Sequence, residues 1–167
     1  MTGGPHPLDL ELYRPNVGVV VFDREGRVWL GERQGTPPPF NWQFPQGGVD
    51  AGEDWLEAAR RELHEETGIR SVSLLAETEG WITYDFPPEV LHGPMRRRGF
   101  KGQKQRWFAF RFEGDDTEID LDAIPPKEFA SWRWADYDEV LDLVVPFKRE
   151  AYEQVLAAFR HLAGVRG

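Results

Sequence analysis

Cysteine is missing altogether from the 167 residues. Its absence removes disulfides, thiolate metal sites and thiol nucleophiles, and it fits a reducing compartment. No stretch approaches the ~18 apolar residues that a membrane helix needs. The first residues show no basic segment followed by an apolar one, so no secretory signal is expected. The resulting expectation is a cytoplasmic protein with no membrane partner. Positive charge is also scarce: 20 Lys and Arg stand against 29 Asp and Glu, a net charge of −9. That balance argues against an extensive duplex nucleic-acid surface, which needs a basic face. It leaves room for a small basic pocket around one phosphate tail. Divalent cations can also bridge an acidic protein to a polyphosphate. Neither a Walker loop nor a serine elbow is found. His6, His64, His92 and His161 show no metal-ligand spacing.

What is present suffices for one domain. Hydrophobic residues make up 40% of the chain and aromatic ones 13%, enough for a core without staples. Residues 1–12, rich in Gly and Pro at the start, are expected to be a flexible leader ahead of a single domain at 13–163. Residues 17–22 form an apolar, β-branched run and are expected to be a buried strand. Asp23-Arg24-Glu25-Gly26 signals a turn, and 27–32 the return strand. Three consecutive prolines make 35–40 a loop. A short strand is expected at 41–44, and strands at 72–86 (broken near Gly80), 106–112 and 129–134. Phe108, Phe110 and Phe112 should share one face. Residues 87–99 read as a loop whose Arg96, Arg97 and Arg98 face solvent. Trp107, Trp132 and Trp134 are expected to pack. An amphipathic helix is expected at 152–162, starting near Pro146. Strands with two substantial helices indicate an α/β or α+β class in layers.

The clearest helix is expected at 53–67, with Leu56, Ala59 and Leu63 inward, Asp50 and Glu53 as a capping box, and Gly68 as its end. It carries Arg61-Glu62-Leu63-His64-Glu65-Glu66. At ~3.6 residues per turn, Glu62, Glu65 and Glu66 fall within an arc of roughly 100°. Like charges so placed repel by about 0.2–0.5 kcal/mol per pair. They also stand near the helix C-terminus, where the macrodipole disfavours them. A solvated acidic face is the bland reading. A hard divalent cation with oxygen ligands is the functional one.

The wider frame favours the second reading. Gly47 is followed by five residues and Glu53, then seven residues and Arg61-Glu62-Leu63. After one more residue come Glu65-Glu66, and after another Gly68-Ile69. These nine fixed positions match the Nudix box, and the chain resembles the Nudix hydrolases. The resemblance implies a Nudix-type α/β/α sandwich with a mixed central sheet, and cleavage of a nucleoside diphosphate linked to another group. It implies Mg2+ or Mn2+ as cofactor, in more than one ion. Glu62, Glu65, Glu66 and the Gly47 carbonyl would be metal ligands. Glu53 and Arg61 would orient the catalytic turn, and Glu62 is the candidate general base.

Tyr13-Arg14-Pro15-Asn16-Val17-Gly18, Trp42-Gln43-Phe44-Pro45-Gln46-Gly47-Gly48, Gly102-Gln103-Lys104-Gln105-Arg106-Trp107-Phe108 and Phe147-Lys148-Arg149 narrow the resemblance. Together they are similar to bacterial RNA 5′-pyrophosphohydrolases and to dinucleoside polyphosphate hydrolases. By that likeness Glu128 would be a further carboxylate ligand. Arg14, Arg33 and Tyr84 would face the phosphate chain, Phe147 would stack on a base and Lys148 would steady a phosphate. Gln103, Lys104 and Gln105 would shape the same side of the pocket. The expected partner is an RNA 5′ end or another nucleoside polyphosphate. Residues 81–88 are closer to the dinucleoside branch, and Pro146 departs from the pattern. A dinucleoside tetra- or pentaphosphate is therefore the alternative substrate. A non-catalytic nucleotide-end binding module is a third reading, but it leaves an intact set of carboxylates unexplained.

Overall fold

A computed structural model of the chain describes residues 9–91 and 99–164; His6, His92 and Arg96, Arg97 and Arg98 lie outside them. The centre of the fold is β1 (Tyr13–Phe22), which carries the apolar run 17–22. It runs parallel to β7 (Gly102–Phe112) from Tyr13 opposite Gly102 to Phe22 opposite Arg111. On its other side it pairs antiparallel with β4 (Gln46–Gly48) and, at its end, with β2 (Val28–Arg33). The β2 strand also carries β3 (Trp42–Gln43) and β8 (Phe129–Ala135). Beyond β7 lie β5 (Val72–Glu77) and β6 (Ile82–Asp85). These eight strands make one mixed sheet.

The period-two alternation of a strand divides the core into two halves. Val17, Val19 and Val21 join Phe108, Phe110 and Phe112 beneath α1 (Trp55–Thr67). Val20, Phe22 and Trp107 face the opposite way, toward a short α2 (Pro88–Leu91) and toward α3 (Arg149–Phe159) with its Tyr152, Val155 and Phe159. Each large side chain so buried contributes about 1.5–3 kcal/mol. The sheet between helices is the expected α/β/α sandwich.

Most expected elements fall where the sequence places them. Residues 9–12 of the expected leader are a 3-10 turn, with the Leu12 carbonyl accepting from the Lys101 N–H at 2.8 Å. The last helix is prefaced by a 3-10 turn at Pro146–Lys148. The capping box is a correction. The helix begins at Trp55, and its cap is Asp54, whose carboxylate accepts from the Glu57 N–H at 3.1 Å. Asp50 and Glu53 form a preceding turn, in which Glu53 Oε1 accepts from the Asp50 N–H at 3.0 Å. Glu53 is outside the helix because Arg61 claims it, at 2.8 Å from Nε. Gly68 ends the helix as expected, in the left-handed region at φ 79°.

Candidate active site

Strand β1 hydrogen-bonds to β4 with Asn16 opposite Gly48 and Val17 opposite Gly47. That pairing brings the residues before the glutamate helix against the centre of the sheet. Helix α1 then packs with Glu62 and Glu66 directed at the same strand. A Cβ on Gly47 would stand 1.8 Å from Glu62 Oε2, so only glycine admits this approach. The Gln46 N–H donates to Glu66 Oε1 at 3.4 Å. Glu62 and Glu66 stand close enough for each to perturb the other's proton affinity. Burial is the main cause that raises both carboxyls above the ordinary glutamate range, Glu66 the more strongly because Glu62 and Glu128 add like charge.

Arg61 organises the outer side of the turn. Its guanidinium reaches Glu53, the Gly48 carbonyl at 2.9 Å, Glu62 at 2.9 Å and Glu65 at 3.3 Å. Its hydrogen bond with Glu53 is the largest cause raising its own pKa and lowering that of Glu53. Glu65 thus rests on Arg61, with a half-exposed side chain.

These elements surround a cavity of about 480 Å³. Glu62, Glu66 and Glu128 line it, together with Gly47. Arg14, Arg33 and Lys148 line the same cavity. Arg33 follows a shift in the β2–β8 register between Glu32 and Arg33, and the next residue, Gln34, donates its N–H to the Glu128 carbonyl at 3.0 Å. Lys148 is only 6% exposed and bonds Gln43 Oε1 at 3.3 Å. Burial, aided by Arg33, pulls its pKa down to about 7. Phe147 packs against Tyr84 at 5.8 Å between ring centroids, both lining the cavity. Burial raises Tyr84 to about 12, so its hydroxyl stays protonated and donates to Gln103 Oε1 at 2.7 Å.

Two expected residues stand elsewhere. Lys104 alternates to the opposite face of β7, with Nζ 5.0 Å over the Trp81 ring. Gln105 is on the cavity's side but wholly buried beneath it, held by Asn16, Gln46 and Trp107. The expectation missed Asn16, Gln43 and Gln46, which line the cavity. Asn16 was accessible to strand periodicity, two residues from Arg14 on β1. Gln43 carries no signal, because its role follows from the distant Lys148.

The sequence pattern of the NUDIX domain family matches residues 12–155. The chain belongs to the NUDIX domain family. Two relatives match a Nudix chain of this length almost end to end. One is an RNA pyrophosphohydrolase of Caulobacter vibrioides (strain NA1000 / CB15N), 62% identical over 156 residues, covering 93% of this chain and 91% of that one. The other is an RNA pyrophosphohydrolase of Rhizobium meliloti (strain 1021), 52% identical over 159 residues, covering 90% and 95%. Among solved structures, the E. coli dihydroneopterin triphosphate pyrophosphohydrolase shares the fold, with a TM-score of 0.66, 23% identity and coverage of 87% and 98%. A C. elegans Ap4A hydrolase does so with a TM-score of 0.61, 18% identity and coverage of 89% and 98%.

Nudix hydrolases generally use divalent metal ions. Among the described residues, no three His, Cys, Asp or Glu side chains are disposed to hold one ion. The reason is local: Glu65 is turned onto Arg61, which leaves the partly buried Glu62 and the buried Glu66 as a pair. The neighbouring carboxyls of Glu62 and Glu66, lining one cavity with Glu128, offer the oxygen ligands that suit a hard divalent cation. The residues therefore fit the group.

Proposed function

We propose that this Nudix protein removes pyrophosphate from the 5′-triphosphate end of RNA, consuming one water and leaving a 5′-monophosphate. The observation that carries the reading is a single cavity lined both by the carboxylates Glu62, Glu66 and Glu128 and by the cations Arg14, Arg33 and Lys148. A polyphosphate can bind the cationic side chains directly and the acidic ones through divalent ions. The choice of RNA is supported by the names of relatives 52–62% identical over at least 90% of the chain.

In this reading Glu62, Glu65, Glu66, Glu128 and the Gly47 carbonyl hold Mg2+ or Mn2+, more than one ion. Bound ions would neutralise polyphosphate charge and acidify a water. Arg61 positions the turn by gripping the Gly48 carbonyl and Glu53. Glu62, its proton affinity raised by burial, is suited to take the proton of the attacking water. Arg14, Arg33 and Lys148 hold the phosphate chain. Phe147 and Tyr84 offer an aromatic wall to the first nucleoside. The protein acts in the cytoplasm, where such RNA ends arise.

The decisive comparison is kcat/KM on a 5′-triphosphate RNA oligomer and on diadenosine tetraphosphate, side by side. The RNA is expected to be the better substrate. A preference for the dinucleotide would transfer the assignment to the second substrate class.

A second test concerns Lys148. Its ammonium form is lost as pH rises through about 7, so KM should climb above that pH. Lys148→Met should raise KM roughly tenfold, the worth of a hydrogen bond to a charged group. It should also flatten the rise. An unchanged KM–pH profile in the variant would remove Lys148 from the phosphate site.

A further inference from the structure

Beneath the cavity lies a run of hydrogen bonds whose direction is fixed by one group. Trp107 Nε1 donates to Gln105 Oε1 at 3.0 Å. An indole N–H can only donate, so the Gln105 oxygen must face it and the Gln105 amine must point the other way. That amine donates to Asn16 Oδ1 at 2.7 Å and to Gln46 Oε1 at 3.4 Å. With its oxygen turned to Gln105, Gln46 presents its own amine on the side of Tyr84, whose pKa it helps to lower. The Tyr84 hydroxyl donates a hydrogen bond to Gln103 Oε1 at 2.7 Å. Every amide oxygen along this path is consumed. The groups left over are the amines of Asn16 and Gln103, which have no protein partner among the described residues. Both residues line the cavity.

The anchor cannot turn. The Trp107 ring is fully buried and lies edge-on to Phe44 and Tyr152, each 5.7 Å between centroids. Its backbone N–H is held by Thr78 Oγ1 at 3.0 Å. On the far side Gly18 lies so close that a Cβ there would stand 2.4 Å from the ring.

We propose that Trp107, acting through Gln105, polarises the cavity floor so that Asn16 and Gln103 present N–H donors to the substrate, making the floor a phosphate-oxygen subsite. Gln105 and Tyr84 are then positioning residues. Asn16 and Gln103 are the groups that touch substrate. The inference rests on the polyphosphate reading of the cavity. It adds the polarity of a surface that the charged side chains alone do not determine. A floor of amides turned the other way would offer carbonyl oxygens and repel the same phosphate.

The probe is inorganic pyrophosphate with Mg2+, its binding measured by calorimetry, alongside KM for triphosphate RNA. Gln105→Glu keeps the shape and the bond from Trp107 but has no N–H, so Asn16 and Gln46 must turn amines inward and oxygens toward the cavity. Gln105→Met removes the bias without adding charge. Both should weaken pyrophosphate binding and raise KM, roughly tenfold for the Glu form and less for Met, with kcat changing less than KM. If Gln105 variants do not fold, Tyr84→Phe and Gln103→Leu decide the matter alone and combined. Tyr84 acting through Gln103 predicts that Tyr84→Phe adds no loss once Gln103 is Leu. Additive losses, or folded Gln105 variants that bind pyrophosphate as the parent does, would overturn the proposal. Pyrophosphate binding that follows this pattern without RNA cleavage would keep the floor and reject RNA as substrate.

Discussion

Glu66→Gln should leave a folded protein with turnover reduced roughly a hundredfold or more. Loss of a group that merely supports a metal ligand costs about 10–100-fold, and loss of a direct ligand should cost at least that. Stability should move the other way. Glu66 is 7% exposed, and burial, then the neighbouring Glu62, raises its pKa well above the ordinary value. Between the ordinary and the raised value, the native state keeps a proton that the unfolded chain releases. Without metal, stability therefore falls as pH rises through that window, and above the native pKa the whole cost is present. The Gln side chain never ionises and keeps the hydrogen-bonding shape. In chelator, the parent should be less stable at pH 7.5 than near pH 5 toward urea, and Glu66→Gln should lose that part of the difference. A variant with near-parental turnover would mean that Glu66 is no ligand.

How much of this was legible in sequence depends on the range of the interaction. Periodicity places β1, β7 and α1 because the alternation and the helical stripe are local, and Gly68 marks the helix end through its own backbone. The cap at Asp54 was missed because Asp50 and Glu53 satisfy the same spacing. What separates the two candidates is Arg61, eight residues away from Glu53, and no local rule contains it. The carboxylates of α1 were readable as a cluster because one helix carries them all. Glu65 resting on Arg61 was not readable, since Arg61 has several acidic neighbours to choose among. Lys104 was grouped with Gln103 and Gln105 by adjacency, but strand alternation sends it through the sheet, a rule that was available. The Trp107–Gln105–Gln46 path joins β7 to β4 across β1. Such pairing is set by register between strands distant in sequence, and no motif records it.

Gly47→Ala should be nearly silent for stability and severe for activity. Gly47 is not among the residues at positive φ, so alanine brings no backbone strain. The three atoms nearest its Cβ all belong to the carboxylate end of Glu62, the closest being Oε2 at 1.8 Å, and that tip can swing aside. The stability change should therefore stay within about 1 kcal/mol. Swinging aside, however, takes Glu62 from Glu66 and from the cavity wall, and a displacement near 1 Å at a reacting centre costs roughly a hundredfold. Gly18→Ala supplies the contrast within the same strand pair. There the Cβ would meet the Trp107 ring at 2.4 Å, and that ring is locked between Phe44 and Tyr152. Overpacking should cost about 1–3 kcal/mol. Thermal melting and steady-state kinetics on both variants separate the two effects. If Gly47→Ala kept its turnover, Glu62 would not need the place in which the fold holds it, and the metal-ligand role proposed for that glutamate would fall.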